Sequence, residues 1–360
     1  MNISRFTFIV TDDCNYQCNY CPQKKEKKFI SVDHVKKALD FFYPRLANNS
    51  SIDFYGGEPL ICFDAIKEAV SYIKKKNTLK KSMDFSISTN GNLLNKEIYE
   101  FLNQNQFYVV LSFDGLAHNI SRKKGDFQSM ITKIEKIQKY SNIKLEINSV
   151  FTPETIGYLA ESIQLMLDLG VKEMRFALST IEYWNEEILM EFENELLKAV
   201  DLLISNYKET GAIPVLNFRN HTSNKGLFAC SAGKERMAIT PDGKLWGCYL
   251  FHDFFKGKEK TKDYSKYFFG DLDSFIDHHE NLYSEKLPNY MDLRMDNFGS
   301  EESYCFLCPD IFSCDVCPVY AAYSSGVLGK IPGWICKINK IKKKMNNYFH
   351  KKICEVECEE

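Results

Sequence analysis

Cys14, Cys18 and Cys21 stand at C-x3-C-x2-C spacing, close enough for three thiolates to grip one inorganic cluster. Such a run can hold three irons of a 4Fe–4S cluster. The fourth iron is then left without a protein ligand. An open coordination position is what a catalytic metal needs, whereas a saturated one suits structure or storage. Zinc is the alternative, but three adjacent ligands without a fourth fit a structural zinc site poorly.

A second cysteine group lies far along the chain. Cys230 is followed by twelve residues, Gly243, four residues and Cys248; then come Cys305-x2-Cys308-x5-Cys314-x2-Cys317 and, later, Cys336. A zinc ribbon usually separates its two close pairs by about 15–20 residues. The five residues between Cys308 and Cys314 are too few for that geometry. The remaining cysteines read differently: Cys62 as core packing, Cys354 and Cys358 as thiols four apart on a tail or helix.

The elements that must position these residues alternate. Strand-like runs fall at 4–10, 51–55, 83–88, 107–113, 144–151 and 173–178, and amphipathic helical stretches at 32–46, 65–76, 127–140 and 155–169. Strands alternating with helices predict a parallel sheet with right-handed connections, and six such units curl toward a barrel two short of closure. The open side would admit a large substrate. Function in such barrels collects on the loops after the strand C-termini. The cysteine run follows the first strand, Gly56-Gly57-Glu58-Pro59 the second and Thr89-Asn90-Gly91 the third; Ser112-Phe113-Asp114-Gly115 ends the fourth. A long helix is predicted over 186–207, a break at Gly211, a domain boundary near 220, and a basic helix over 337–352 with a cysteine-bearing acidic tail.

Composition narrows the class. The 360 residues carry a formal net charge of −2 and thirteen cysteines. That charge gives no signal for nucleic acid, and the lysine runs at 24–28 and 256–262 read as solvated faces. No apolar run approaches the roughly 20 residues of a membrane span, and no signal peptide precedes the first strand. A cytoplasmic location follows, and in a reducing compartment so many cysteines point to metal or redox chemistry rather than disulfides.

The cysteine run, with Tyr20 before its last cysteine, resembles the signature of the radical S-adenosylmethionine (SAM) superfamily. The resemblance implies that SAM binds the open iron and is cleaved reductively to a 5′-deoxyadenosyl radical. It implies cluster ligation by Cys14, Cys18 and Cys21, with Tyr20 near the adenine. It implies a SAM-binding set of Gly56, Gly57, Glu58, Asn90, Ser112, Asp114, Arg122 and Leu178. Glu58 and its glycines would meet the SAM amino group, Ser112 the ribose, Arg122 the carboxylate and Leu178 the adenine.

The later cysteines resemble the SPASM domain, an auxiliary-cluster module of radical SAM enzymes that modify peptides. By that pattern Cys305, Cys308, Cys314 and Cys336 saturate one auxiliary 4Fe–4S cluster, and Cys230, Cys248 and Cys317 bind the other. No cysteine lies between Cys230 and Cys248 to supply a fourth ligand, so that cluster would keep an open site unless Cys354, Cys358 or a carboxylate fills it. The family spaces its last close pair by three residues, whereas Cys314 and Cys317 are separated by two. The expected organisation is α/β: a partial (β/α)6 TIM-like barrel over 1–220, a small cysteine-rich SPASM domain over 221–340, and a C-terminal helix or tail over 341–360.

Two readings of function share this layout. One is a maturase that installs thioether or carbon–carbon crosslinks in a ribosomally made peptide; the other is an anaerobic sulfatase-maturing enzyme that makes formylglycine. A plain electron carrier would have no use for the SAM-site residues. Sulfatase-maturing enzymes carry an aspartate directly after the cysteine matching Cys248, where this chain has Tyr249. A phenol with a pKa of about 10 is a poor base. The candidates for a proton acceptor are therefore Tyr249, His252 and Asp253, and the reading favours the peptide maturase. Its expected partners are a precursor peptide and an electron donor such as flavodoxin or ferredoxin; since the chain opens on the first barrel strand, either a separate leader-binding protein recognises the peptide or the barrel and auxiliary domain bind it themselves.

Overall fold

The structure, a computed structural model, describes residues 1–219, 230–292, 299–300 and 305–359. The expected domain boundary near 220 lies outside the described residues.

Six parallel strands form the barrel wall: β1 (Ile3–Thr11), β2 (Leu46–Gly56), β3 (Met83–Thr89), β4 (Tyr108–Ser112), β5 (Lys144–Phe151) and β6 (Met174–Leu178). They pair in chain order. Each of the six sequence-predicted strands is present. The reason is plainest in β1, where Phe6, Phe8, Ile9 and Val10 are all buried. A parallel strand covered on both faces reads as a continuous apolar run.

Helices α1 (Val32–Phe42), α2 (Phe63–Lys76), α3 (Lys96–Gln104), α4 (Phe127–Ile137), α5 (Leu159–Asp168) and α6 (Glu186–Thr210) follow the strands. Several start where a side chain satisfies the first free N–H groups. Ser31, Asn95, Asp126 and Asn185 accept from the amides of His34, Ile98, Ser129 and Ile188. The sequence-predicted helix over 32–46 ends earlier, at Phe42. Pro44 then sits in a 3-10 turn, Tyr43–Arg45, and Leu46 already begins β2. The long helix stops where expected, with Gly211 left-handed at φ +66°.

The chain after residue 229 is not a detached module. Strand β7 (Arg236–Ile239) pairs parallel with β1, on the side away from β2, and β8 (Lys244–Trp246) and β9 (Gly270–Asp271) continue outward antiparallel. One nine-stranded sheet results, in the order β9-β8-β7-β1-β2-β3-β4-β5-β6. Helix α7 (Tyr249–Phe255) starts directly after Cys248; α8 (Lys262–Tyr267) and α9 (Leu272–Asp292) pack beyond it. Short 3-10 turns at Cys305–Leu307 and Ile311–Ser313 lead into α10 (Pro318–Ser325) and α11 (Gly333–Glu359). The sequence-predicted basic helix over 337–352 is part of α11, and the acidic tail is helical too. Cys336, Cys354 and Cys358 therefore ride on one helix, the last two exposed.

Candidate active site

The cysteine loop leaves β1 and is held from below by the glycines after β2. The Gly57 amide donates to Thr11 O at 2.9 Å and the Glu58 amide to Asp13 O at 2.8 Å. A Cβ on Gly57 would run into Asp13 O, and one on Gly56, at φ +154°, into Thr11 O. Glycine is required because the loop's own backbone crosses there.

Glu58 is fully buried and ties three loops together. Its carboxylate accepts from Thr89 Oγ1 at 2.6 Å, the Asn90 amide at 2.8 Å and the Leu60 amide at 3.0 Å. Burial outweighs these bonds and pushes its pKa up to about 7. Asn90 in turn donates to Asn15 Oδ1 at 2.8 Å and approaches Cys14 Sγ at 3.9 Å.

On the other side, Asp114 and Arg122 form a buried bidentate pair, with bonds of 2.8 and 2.9 Å. Tyr20 Oη donates to the same carboxylate at 3.1 Å, and the guanidinium carbon lies 5.3 Å from the Tyr20 ring centroid. Burial works against the Arg122 charge, but Asp114 more than offsets it and holds the group protonated. Its Nη1 points to Cys18 Sγ at 3.9 Å. A two-residue ribbon, Gln17–Cys18 against Arg122–Lys123, fixes this approach. Ser112, half-buried, ends β4, and Leu178 ends β6 at 9 % exposure.

Cys14, Cys18 and Cys21 are free thiols that interact electrostatically with one another. Burial raises all three pKa values, that of Cys21 to about 11, so metal binding here must displace protons. No three His, Cys, Asp or Glu side chains among the described residues converge as the shell of a single metal ion does. A four-iron cluster holds its thiolates farther apart. The donors aimed at sulfur, from the Tyr16 amide, Asn90 and Arg122, also suit thiolates. The residues fit a cluster, not a lone ion.

The later cysteines assemble in two groups. Cys230, Cys248 and Cys317 act on one another, as Cys305, Cys314 and Cys336 do. Burial pushes Cys248 up to about 12 and Cys314 and Cys317 to about 11. Cys308 shares the turn with Cys305, its amide donating to Cys305 O at 3.1 Å. Cys62 is half-buried against the core, as expected.

Between the first cysteine group and the Cys230 group stand side chains that the sequence did not single out. Tyr55, at the end of β2, packs on Tyr249 with ring centroids 4.3 Å apart. Tyr320 interacts with Cys317, Asp253, Cys248 and Cys21, and Tyr323 with Asp253 and Tyr320. Tyr320 is nonetheless 41 % exposed, so it lines a space rather than a packed core. A helical pair, Tyr320-x2-Tyr323, directly after Cys317 was the available signal.

The three proton-acceptor candidates separate here. His252 is turned away: its Nε2 lies 3.2 Å from Asp12 Oδ1, and Lys256 Nζ donates to the other Asp12 oxygen at 2.8 Å. Tyr249 packs at a tilt of 41° against Tyr55, and burial drives its hydroxyl pKa well up, which makes it a worse base than a free phenol. Asp253 faces the tyrosines, anchored by Gln23 Nε2 at 2.9 Å. Burial pushes its pKa up to about 6, against lowering by His252 and Gln23.

Comparison with known proteins agrees with this architecture. Residues 8–166 match the model of the Radical SAM superfamily. The radical SAM cyclopropyl synthase TigE of Paramaledivibacter caminithermalis is 25 % identical over 297 residues, 74 % of this chain and 62 % of that protein. The chain thus spans less than two thirds of that relative. A cysteine-type anaerobic sulfatase-maturating enzyme of Clostridium novyi is 24 % identical over 74 % of this chain and 79 % of its own. Native anSMEcpe, solved with bound AdoMet and Kp18Cys peptide, shares the fold at a TM-score of 0.77 and 17 % identity, over 99 % of both chains. No helix among the described residues is long and apolar enough to cross a membrane.

Proposed function

We propose, starting from the radical SAM domain of residues 8–166, that this chain is a maturase that crosslinks a ribosomally made peptide through thioether or carbon–carbon bonds. Cys14, Cys18 and Cys21 would hold the catalytic cluster, and Cys230, Cys248, Cys317 and Cys305, Cys308, Cys314, Cys336 two auxiliary clusters in a module over 221–340. With SAM bound, the cluster held there would supply reductive SAM cleavage and, through it, hydrogen-atom abstraction from the substrate. The protein orients the cofactor and excludes side reactions.

The observation that carries the reading is the tyrosine cluster that links the two cysteine groups. Tyr55 packs on Tyr249, Tyr323 interacts with Asp253, and Tyr320 interacts with Cys21, Cys248, Cys317 and Asp253. A peptide side chain held there lies between both groups of thiolates. Asp253, with a pKa of about 6, is ionised at neutral pH and would take the proton released as the new bond forms, while the auxiliary cluster that Cys230, Cys248 and Cys317 would hold would take the remaining electron. Tyr20, Glu58, Asn90, Ser112, Asp114, Arg122 and Leu178 would shape the SAM side of the site. Arg122 is already committed to Asp114, so it would meet a SAM carboxylate through Nη1.

The relatives keep formylglycine formation as the second reading. The test is anaerobic co-expression with the short peptide encoded beside the gene, followed by mass spectrometry. Loss of two hydrogens per modified site, abolished by Cys14→Ala, is the expected result. An unchanged peptide, together with conversion of a sulfatase-derived cysteine to an aldehyde, would establish the formylglycine reading instead.

A further inference from the structure

Strand β6 closes one end of the sheet, and among the described residues its outer edge has no neighbouring strand, only the single bridge of Met174 with Val215. Backbone groups of alternate residues point outward along such an edge. Ser179 donates inward to Phe151 O at 2.8 Å, which makes Met174, Phe176 and Leu178 the outward set. The chain itself covers the first two. The Met174 amide donates to Pro214 O at 3.0 Å. Phe176 is satisfied by one side chain: Asn217 Oδ1 accepts from its amide at 3.1 Å and Asn217 Nδ2 donates to its carbonyl at 3.0 Å. Asn217 thus imitates one residue of a partner strand. The outward N–H and C=O of Leu178 have no such partner among the described residues.

Leu178 borders a cleft of about 500 Å³ between β6 and α11. That volume falls in the range of small-ligand sites. Phe176, Leu178, Val316 and Ile338 supply apolar wall. Three cations border it. Arg175 is engaged by Glu146 and Lys343 by Asp310. Lys342 has no carboxylate within ion-pair distance among the described residues; its ammonium lies 5.8 Å from the Phe176 ring centroid, with Asp315 as a more distant counter-charge. Burial pulls its pKa down to about 8. The floor of the cleft includes Cys317 and Tyr320, the latter facing Asp253 and Cys21.

We propose that this cleft receives an extended, acidic segment of the peptide substrate, which adds to β6 through the Leu178 N–H and C=O and sets a carboxylate on Lys342. The inference rests on the peptide-modifying reading above. Backbone pairing supplies affinity in strand addition, and a charged pocket supplies selection. An acidic segment suits Lys342, which has no close carboxylate among the described residues, and Tyr320 joins this cleft to the tyrosine cluster.

The test uses reconstituted, SAM-loaded enzyme and two fluorescein-labelled synthetic octapeptides, alternating Val-Glu and Val-Lys, read by anisotropy. The wild type should bind the acidic probe at least about tenfold better than the basic one, and Lys342→Glu should reverse that order. An acidic probe N-methylated at alternate residues lacks the donors needed for strand addition and should bind more weakly than the unmodified acidic probe, with the enzyme itself unchanged. No binding of either probe, or equal effects of Lys342→Glu on both, would overturn the proposal. The parent reading is scored separately, by the mass of the gene-neighbouring peptide. If that peptide is crosslinked with the same KM by Lys342→Glu, the cleft assignment fails and the maturase reading stands. If it never changes mass while the acidic probe binds in a Lys342-dependent way, the reverse holds.

Discussion

Asp114 and Arg122 grip each other through two hydrogen bonds of 2.8 and 2.9 Å, and the aspartate is fully buried. Removing one partner of such a pair strands the other charge without water. Asp114→Asn should therefore destabilise the apoprotein by about 3–5 kcal/mol, measured by urea unfolding. Arg122→Lys should also lose stability, because an ammonium cannot reproduce the two-pronged contact.

The Asp253 carboxyl sets a pH dependence. Its pKa of about 6 means that the proton-accepting form grows as pH rises. Peptide modification should increase from pH 5 to pH 7 with a midpoint near 6 and then level. Asp253→Asn should lose that limb and about 100- to 10,000-fold in rate. SAM cleavage followed in the same samples separates this loss from a damaged cofactor site.

Gly57→Ala places a methyl group against Asp13 O and must push the cysteine loop upward. Reconstituted enzyme should lose about one cluster's worth of iron and the associated visible absorbance, while the iron of the proposed auxiliary clusters is kept. Full iron content in this variant would show that the loop yields without losing its cluster.

Asn217→Ala should bare the Phe176 N–H and C=O. Leaving buried groups unpaired costs about 1–3 kcal/mol each. A longer exposed edge also invites strand-to-strand association. Lower unfolding midpoints and greater concentration-dependent light scattering are the expected pair of changes.

Much of this was legible from local pattern. The strands were, because burial on both faces leaves runs such as Phe6 to Val10 without polar interruption. The closeness of Cys14, Cys18 and Cys21 was, because their spacing by itself keeps them on one loop. The end of α1 was misjudged because apolar residues run on past Phe42, and only Pro44 marks the change. His252 and Asp253 were not separable from sequence. Adjacent residues on a helix point about 100° apart, and which one meets Asp12 depends on where β1 lies. Asn217 was invisible for the same reason: its role exists only beside an unpaired edge.

The continuous sheet bears on the order of assembly. Strand β1 carries Cys14, Cys18 and Cys21 on its exit loop, yet one of its two neighbours, β7, is Arg236–Ile239. A ribosome delivers Cys14 early and that neighbour more than two hundred residues later. Contacts so distant in sequence form late. The loop must therefore wait, thiols bare, until most of the chain has been made. Iron offered during synthesis would meet the cysteines on an unsupported strand, and productive loading belongs to the finished sheet.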